Sequence, residues 1–408
     1  MTKYKPLKEK EAIEYVKGIE GLFDDDAELS CNEIGDGNLN LVFHITDQNS
    51  DMGVVIKQAL DHVRIADDWP LTKERVKFEY TAMKIQDELT DGMVPKVYKY
   101  DDEMALIVME DLSSMKVMRK GLISGIKYPH FAEQISTFLS KTLFYTSDLY
   151  MAPKDKKERV KNFINPELCD ITEVLVFTDP YFDAESNNIN PELRPYLEKE
   201  FWRKIELRKE VTVLKEKFMT RAQALIHGDL HTGSIFIDQK TLKVFDTEFA
   251  FYGPSGFDIG AVIGNLILNY ASWSGKEVST EFKADYREYL LDTIEDIWNK
   301  FEEKFRKFWD QEAHETTKAV KGYQDYYLKQ LLQDSIGMGG CKTMRRCIGM
   351  AHVEDLDGIE NLSERARAQI FALKLGEIMV TRRKRLATIT DFIKIVRDLT
   401  AWEDTTNM

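Results

Sequence analysis

A polar stretch between two apolar runs carries the residues best suited to chemistry: Leu225-Ile226-His227-Gly228-Asp229-Leu230-His231-Thr232-Gly233-Ser234-Ile235-Phe236-Ile237. After Leu242-Lys243-Val244-Phe245 come Asp246-Thr247-Glu248. Phosphoryl transfer asks for this inventory. It needs one carboxylate to orient an attacking hydroxyl and accept its proton, and separate oxygen ligands for a magnesium ion bridging the β- and γ-phosphates. Asp229 suits the first role. Asp246 and Glu248 suit the second, because magnesium is satisfied by one or two carboxylates and several waters. Ser234 offers a weaker or water-mediated ligand, and Thr247, between the two acids, is counted with the nucleotide site. His227 and His231 are read as loop-shaping residues that bond the loop backbone and the region around Asp246. A solvated strand end explains a lone Asp-x-Glu, whereas His227-Gly228-Asp229 followed by His231 and the acidic pair is far more specific.

Such a loop needs a nucleotide facing it. Gly35-Asp36-Gly37-Asn38-Leu39-Asn40 forms a hairpin tip whose glycines Gly35 and Gly37 let backbone amides, with Asn38 and Asn40, approach phosphate oxygens. Alone this is weak, since a tight hairpin turn reads the same way. Its position before Lys57 strengthens it. Lys57 closes the apolar run Val54-Val55-Ile56, where an inward-facing ammonium requires anionic company. An ATP phosphate and Glu79 on the following helix supply it, as the strand lysine and helix glutamate do in protein kinases. Farther on, Asp111-Leu112-Ser113 forms a polar connector whose backbone can bond an adenine edge, with Met109 and Leu112 against the ring.

The elements that position these residues follow from pattern. Five β-like runs, Glu28 to Ile34, Leu41 to Thr46, Gly53 to Gln58, Val94 to Tyr98 and Met104 to Met109, predict a small antiparallel sheet. Between the third and fourth, Thr72 caps a helix reaching about Leu89 whose apolar face, Phe78, Ala82, Ile85 and Leu89, packs on that sheet. Beyond Met118 the pattern turns helical: Phe131 to Tyr145, Pro195 to Phe218, Ser279 to Lys307, Lys321 to Leu332 and Ser363 to Val380, interrupted by the β-rich island at Leu225 to Phe245. Ile259 to Leu268 is apolar enough to be a buried helix, and Tyr181 to Pro191 is polar and asparagine-rich enough to be a mobile loop. The fold class is α+β and bilobal. A small antiparallel-sheet lobe spans residues 1–110, a hinge 111–118, and a larger, mainly α-helical lobe 119–408.

Composition agrees with a two-lobed chain of 408 residues and excludes several alternatives. No apolar run approaches the roughly 18 residues that span a bilayer, and Met1 to Tyr15 lacks the apolar core of a signal peptide, so a cytoplasmic protein is expected. Cys31, Cys169, Cys341 and Cys347 lack zinc or disulfide spacing and are read as reduced thiols. A formal charge of −14 disfavours nucleic acid. The basic run Arg382-Arg383-Lys384-Arg385 is expected in the last, solvated turns of a helix.

His227-Gly228-Asp229-Leu230-His231 resembles the aminoglycoside phosphotransferase and choline kinase superfamily, which shares the protein-kinase-like fold. The resemblance narrows to the methylthioribose kinase family through Gly35 to Asn40, Trp69-Pro70-Leu71-Thr72, the run to Ser234, Asp246-Thr247-Glu248 and Arg345-Arg346. The superfamily usually has asparagine at Ser234 and aspartate at Glu248, and methylthioribose kinases are similar to this chain at both. The resemblance implies ATP- and Mg2+-dependent phosphorylation of the 1-hydroxyl of 5-methylthioribose, a step of methionine salvage, by a cytoplasmic homodimer. It also implies that Asp258 hydrogen-bonds the catalytic-loop backbone. Against that substrate, Gly337 to Arg346 reads as a glycine-rich loop followed by Arg345 and Arg346, whose guanidinium forks can grip vicinal oxygens and offset charge on the γ-phosphoryl group. Surface arginines at a helix start are the bland alternative. Trp69 is either part of a lid or a plug of the small lobe. A kinase of another small alcohol (an aminoglycoside, choline, homoserine or a different sugar) and a non-catalytic nucleotide-binding scaffold stay open as alternatives.

Overall fold

A computed structural model describes residues 4–35, 39–63 and 66–406. Of the sequence expectations, those for Gly37 and Asn38 and for the Trp69 side chain lie outside the described residues. Helix α1, Glu9–Lys17, has no counterpart in the sequence reading. It buries Ala12 and Val16 against a five-stranded antiparallel sheet. The strands are β1 (Leu29–Glu33), β2 (Asn40–Asp47), β3 (Gly53–Ala59) and, after helix α2 (Arg75–Thr90), β4 (Val97–Asp101) and β5 (Leu106–Glu110). Their spatial order is β1-β2-β3-β5-β4.

Alternation along β3 decides where Lys57 points. Val54 and Ile56 join Phe43, Ile45, Leu106 and Val108 under α1. Val55, Lys57 and Ala59 therefore turn to the opposite face, where α2 packs Val76 and Met83 against Ala59, Ile107 and Met109. A one-residue slip in register would drive the ammonium into the apolar side, so the hydrophobic pattern itself fixes the lysine.

Helix α2 departs from expectation at its start and on its faces. It begins at Arg75, and the Thr72 hydroxyl accepts from the Glu74 amide at 3.2 Å before the helix opens. Phe78, Ala82 and Ile85 meet Phe163, Leu225, Ala250 and Tyr252 of the second lobe, not the sheet. Because α2 is sandwiched, Glu79 lies buried between its two apolar sides.

The second lobe contains α3 (Phe131–Tyr145), α4 (Ile205–Thr220), strands β6 (Ala224–Ile226), β7 (Ile235–Ile237), β8 (Leu242–Val244) and β9 (Phe251–Gly253), then α5 (Gly256–Ser272), α6 (Thr280–Glu312), α7 (Tyr323–Ile348), α8 (Leu362–Arg382) and α9 (Ile389–Thr406). Helix α5 is buried along its whole length. The expected helix Pro195 to Phe218 is interrupted, and the chain restarts at Ile205. Adjacent Phe201 and Trp202 are both buried, with the indole donating to the Pro180 carbonyl at 3.1 Å, which one uninterrupted helix facing a single core accommodates poorly. The segment 181–191 is tied down by its asparagines: Asn187 donates to the Asp179 and Phe182 carbonyls, and Asn190 to Leu362 and Gln369. Arg383 is buried with its guanidinium 2.6 Å from Glu210, so the basic run clamps α8 to α4 and is not merely a solvated helix end.

The largest correction concerns Gly337 to Arg346, which is helix throughout. Helix α7 passes between α5 and α8 at backbone contact. A Cβ on Gly339 would lie 2.8 Å from the Gly260 carbonyl, and one on Gly340 would lie 2.6 Å from the Gly376 carbonyl. The glycines thus serve close packing. Lys342, Arg345 and Arg346 ride on the last turns of this wedged helix, with i, i+3 and i+4 spacing that places them on one side. Gly340→Ala is expected to destabilise the protein by about 1–3 kcal/mol in denaturant unfolding, despite alanine's better helix propensity. Unchanged or increased stability would show that the helices have room to part.

Candidate active site

Two short ladders, β6 with β9 and β7 with β8, hold the two chemical loops beside each other. Gly228 lies at φ 84, in the left-handed region, and a Cβ there would sit 2.1 Å from the Phe249 carbonyl, so this turn admits only glycine. Asp258, near the start of α5, accepts from the His227 amide at 2.6 Å and the Gly228 amide at 3.1 Å. The His227 ring accepts from the Asp229 amide at Nδ1 (3.2 Å), which leaves Nε2–H to donate to the Phe245 carbonyl at 2.9 Å. One imidazole thereby spans the loop of Asp229 and the segment leading to Asp246.

Between the sheet and α2, Lys57 Nζ donates to Glu79 Oε1 at 2.9 Å, forms a short contact with Asp246, and lies 3.9 Å from Glu248. Burial opposes its charge, but Asp246, Glu248 and Glu79 outweigh burial and raise its pKa. Burial pushes Glu79 up to about 7, with Lys57 opposing. Glu248 is held by Arg75 at 3.2 Å and by the Asn40 side-chain amide at 3.0 Å. Asn40 therefore contacts the acid directly, where the sequence suggested a phosphate loop. Thr247 is buried and donates to the Glu79 carbonyl at 3.2 Å, fastening the acidic segment to α2. Asp246 sits at φ 69, a conformation aspartate tolerates, and its side chain is 40% exposed toward the cleft.

A cavity of about 800 Å³ joins these groups. Lys57, Glu79, Asp246, Glu248 and Asn40 line one part, and Asp111, Leu112 and Ser113 another. Asp111 is engaged: it accepts from Ser113 at 2.8 Å and pairs with His44 Nε2 at 2.8 Å. Gly35 is described but does not line the cavity, and neither does Ser234, whose hydroxyl lies 3.2 Å from the Asp229 carbonyl and 3.0 Å from His231 Nδ1. The structure brings Asp246 and Glu248 together and leaves Ser234 within the loop.

Asp229, Arg345 and Arg346 line the same cavity. The two arginines are largely buried, and the Nε of Arg345 has no hydrogen-bond partner among the described residues. Sequence reasoning missed two neighbours. Lys342 Nζ stands 2.5 Å from Asp229 Oδ1, and Arg119 enters the cavity braced by Asp355 at 3.5 Å and Asn265 at 3.2 Å. Spacing from Arg345 and Arg346 on a helix would have revealed Lys342, had the segment been read as helix. Met118-Arg119-Lys120 carries no signal separating Arg119 from a solvated cation. Burial alone would raise the Asp229 pKa, and Lys342, His231, Arg346 and Arg345 override it and hold the carboxyl well below its usual range.

The phosphotransferase enzyme family matches residues 30–297. The chain is 46% identical over 393 residues to the methylthioribose kinase of Geobacillus kaustophilus (strain HTA426), covering 96% of each, and 39% identical over 404 residues to that of Yersinia enterocolitica, covering 97% of this chain and 99% of the relative. The chain belongs to the methylthioribose kinases of the phosphotransferase enzyme family. A crystal structure of choline kinase from Cryptosporidium parvum superposes with a TM-score of 0.47 at 13% identity, covering 96% of this chain and 99% of that one. Within this kinase family member, Asp258 is the anchor of the Asp229 loop. Asp258→Asn can accept from only one of the two amides while its NH2 opposes the other, so a stability loss of about 1–3 kcal/mol is expected. Faster hydrogen exchange at the His227 and Gly228 amides should accompany it; unchanged exchange would contradict the anchoring role.

Proposed function

We propose that the chain transfers the γ-phosphoryl group of ATP to the 1-hydroxyl of 5-methylthioribose, giving 5-methylthioribose 1-phosphate and ADP. The observation that carries this is identity of 39–46% to methylthioribose kinases over nearly the whole chain. Residues 1–110 and 119–408 act as the two lobes, joined at 111–118, with ATP between them. Its adenine lies along Asp111 to Ser113 near Met109, and its phosphates run toward Lys57. The thioribose enters beside Asp229, its apolar tail against Ile171, Leu175 and Met350 and its hydroxyls within reach of Arg345 and Arg346.

The acids suit magnesium. Asp246 presents an accessible carboxylate, while Glu248, its oxygens occupied by Asn40 and Arg75, adds charge and a ligand only on rearrangement. A magnesium ion held there would supply positive charge against the phosphate oxygens of ATP. Asp229 accepts the hydrogen bond of the sugar 1-hydroxyl and aims its oxygen in line with the γ-phosphorus. As the new P–O bond forms and the bond to ADP breaks, the hydroxyl proton passes to the carboxylate. The low basicity of Asp229 assigns it to orientation more than to early deprotonation, as a loose transition state allows. Arg345 and Arg346 face the charge on the moving phosphoryl oxygens.

The enzyme is proposed to act as a cytoplasmic homodimer; among the described residues no helix is long and apolar enough to cross a membrane. ADP release with ATP and magnesium is expected on methylthioribose and not on ribose, choline, homoserine or kanamycin. Asp229→Asn should lower kcat by about 100-fold or more while leaving the KM for ATP nearly unchanged. Turnover on another member of the panel alone would replace the substrate, and an active Asp229→Asn would remove the mechanism.

A further inference from the structure

Lys342 is nearly inaccessible to solvent, yet it lines the cavity and forms its ion pair with Asp229. Its ammonium also lies 4.6 Å from the centroid of the Phe257 ring, and among the described residues no second carboxylate stands within ion-pair distance. The other charged groups around it are cationic Arg345 and Arg346 on its own helix, with Asp258 facing from the start of α5 and His231 from the loop. A buried lysine carries a desolvation cost that a core position would avoid with leucine or methionine, and this one spends its single carboxylate contact on the acid at the reacting centre.

Both mounts of the pair are rigid. Helix α7 cannot shift toward α5 or α8 because backbones already touch at Gly339 and Gly340. The Asp229 backbone is pinned through His227 and Asp258. The remaining freedom of Asp229 is rotation of its own side chain. Lys342 takes Oδ1, and His231 Nε2 stands 3.5 Å from Oδ2.

From this geometry we infer that Lys342 is a positioning residue for phosphoryl transfer: its ammonium locks the Asp229 carboxylate so that Oδ2 faces the acceptor hydroxyl. The inference rests on Asp229 being the acceptor-orienting group. The contact also keeps Asp229 ionised, and burial brings Lys342 itself down to about 8 against the pull of that acid.

The test uses wild type, Asp229→Asn, Lys342→Met and Lys342→Ala in the full chain with ATP, magnesium and methylthioribose. Lys342→Met keeps the stem over Phe257 and removes only the charge. It should lower kcat by about 30-fold or more with the KM for ATP within about twofold. Lys342→Ala opens a space continuous with the cavity, so added methylammonium should restore its kcat by about tenfold or more, and should not restore Lys342→Met, where the space is filled. A structural role alone would give no such rescue. If Lys342→Met retains kcat within about threefold of wild type, or folded Lys342→Ala ignores methylammonium, the positioning role is overturned. Should Lys342→Ala fail to fold, the kcat of Lys342→Met decides alone. An active Asp229→Asn would instead bring down the functional reading beneath it, and so the two failures are distinguishable.

Discussion

The ammonium of Lys57 is the point at which the sheet, helix α2 and the acidic segment after β8 meet. It comes from β3, while Glu79 belongs to α2 and Asp246 and Glu248 follow β8. An unpaired ammonium this deeply buried would be costly, and three carboxylates without it would repel one another. Each side therefore holds the other in place across the cleft. Arg75, itself buried, adds the second cation on Glu248. Of the three acids, Glu79 and Glu248 are buried and only Asp246 presents an accessible carboxylate.

The end of the cavity around Asp229 has the opposite sign. Asp229 stands among Lys342, Arg345 and Arg346, with Arg119 also in the cavity. In the proposed transfer these cations face the charge carried by the phosphoryl oxygens. Because the donors are fixed before substrate arrives, little reorganisation remains for the reaction itself. The wedged α7 and the clamped Asp229 loop supply that fixity through backbone contacts, not through side-chain packing alone.

Much of the fold and the chemical loop was legible in the sequence, for reasons the structure makes plain. The five runs alternate or saturate with apolar residues because both faces of the sheet are covered, and a loop containing Asp229 between two apolar strands has few other uses. Helix α1 was illegible because it buries little more than Ala12 and Val16 behind a lysine- and glutamate-rich exterior. Glycines in α7 looked like a loop because local propensity disfavours them in helices, while their benefit, contact with Gly260 and Gly376, is tertiary. Lys342 was hidden by that same misreading. Asn40 was assigned to a phosphate loop from its place near glycines, whereas its partner Glu248 lies far along the chain and only the fold brings them together.

Phosphorus NMR of the reaction with ATP, magnesium and 5-methylthioribose reports which hydroxyl oxygen receives the phosphoryl group. One new phosphomonoester signal coupled to the anomeric proton of the sugar is expected, appearing as ADP accumulates. A phosphoester on another hydroxyl, or ADP formed only alongside inorganic phosphate, would contradict the proposed transfer.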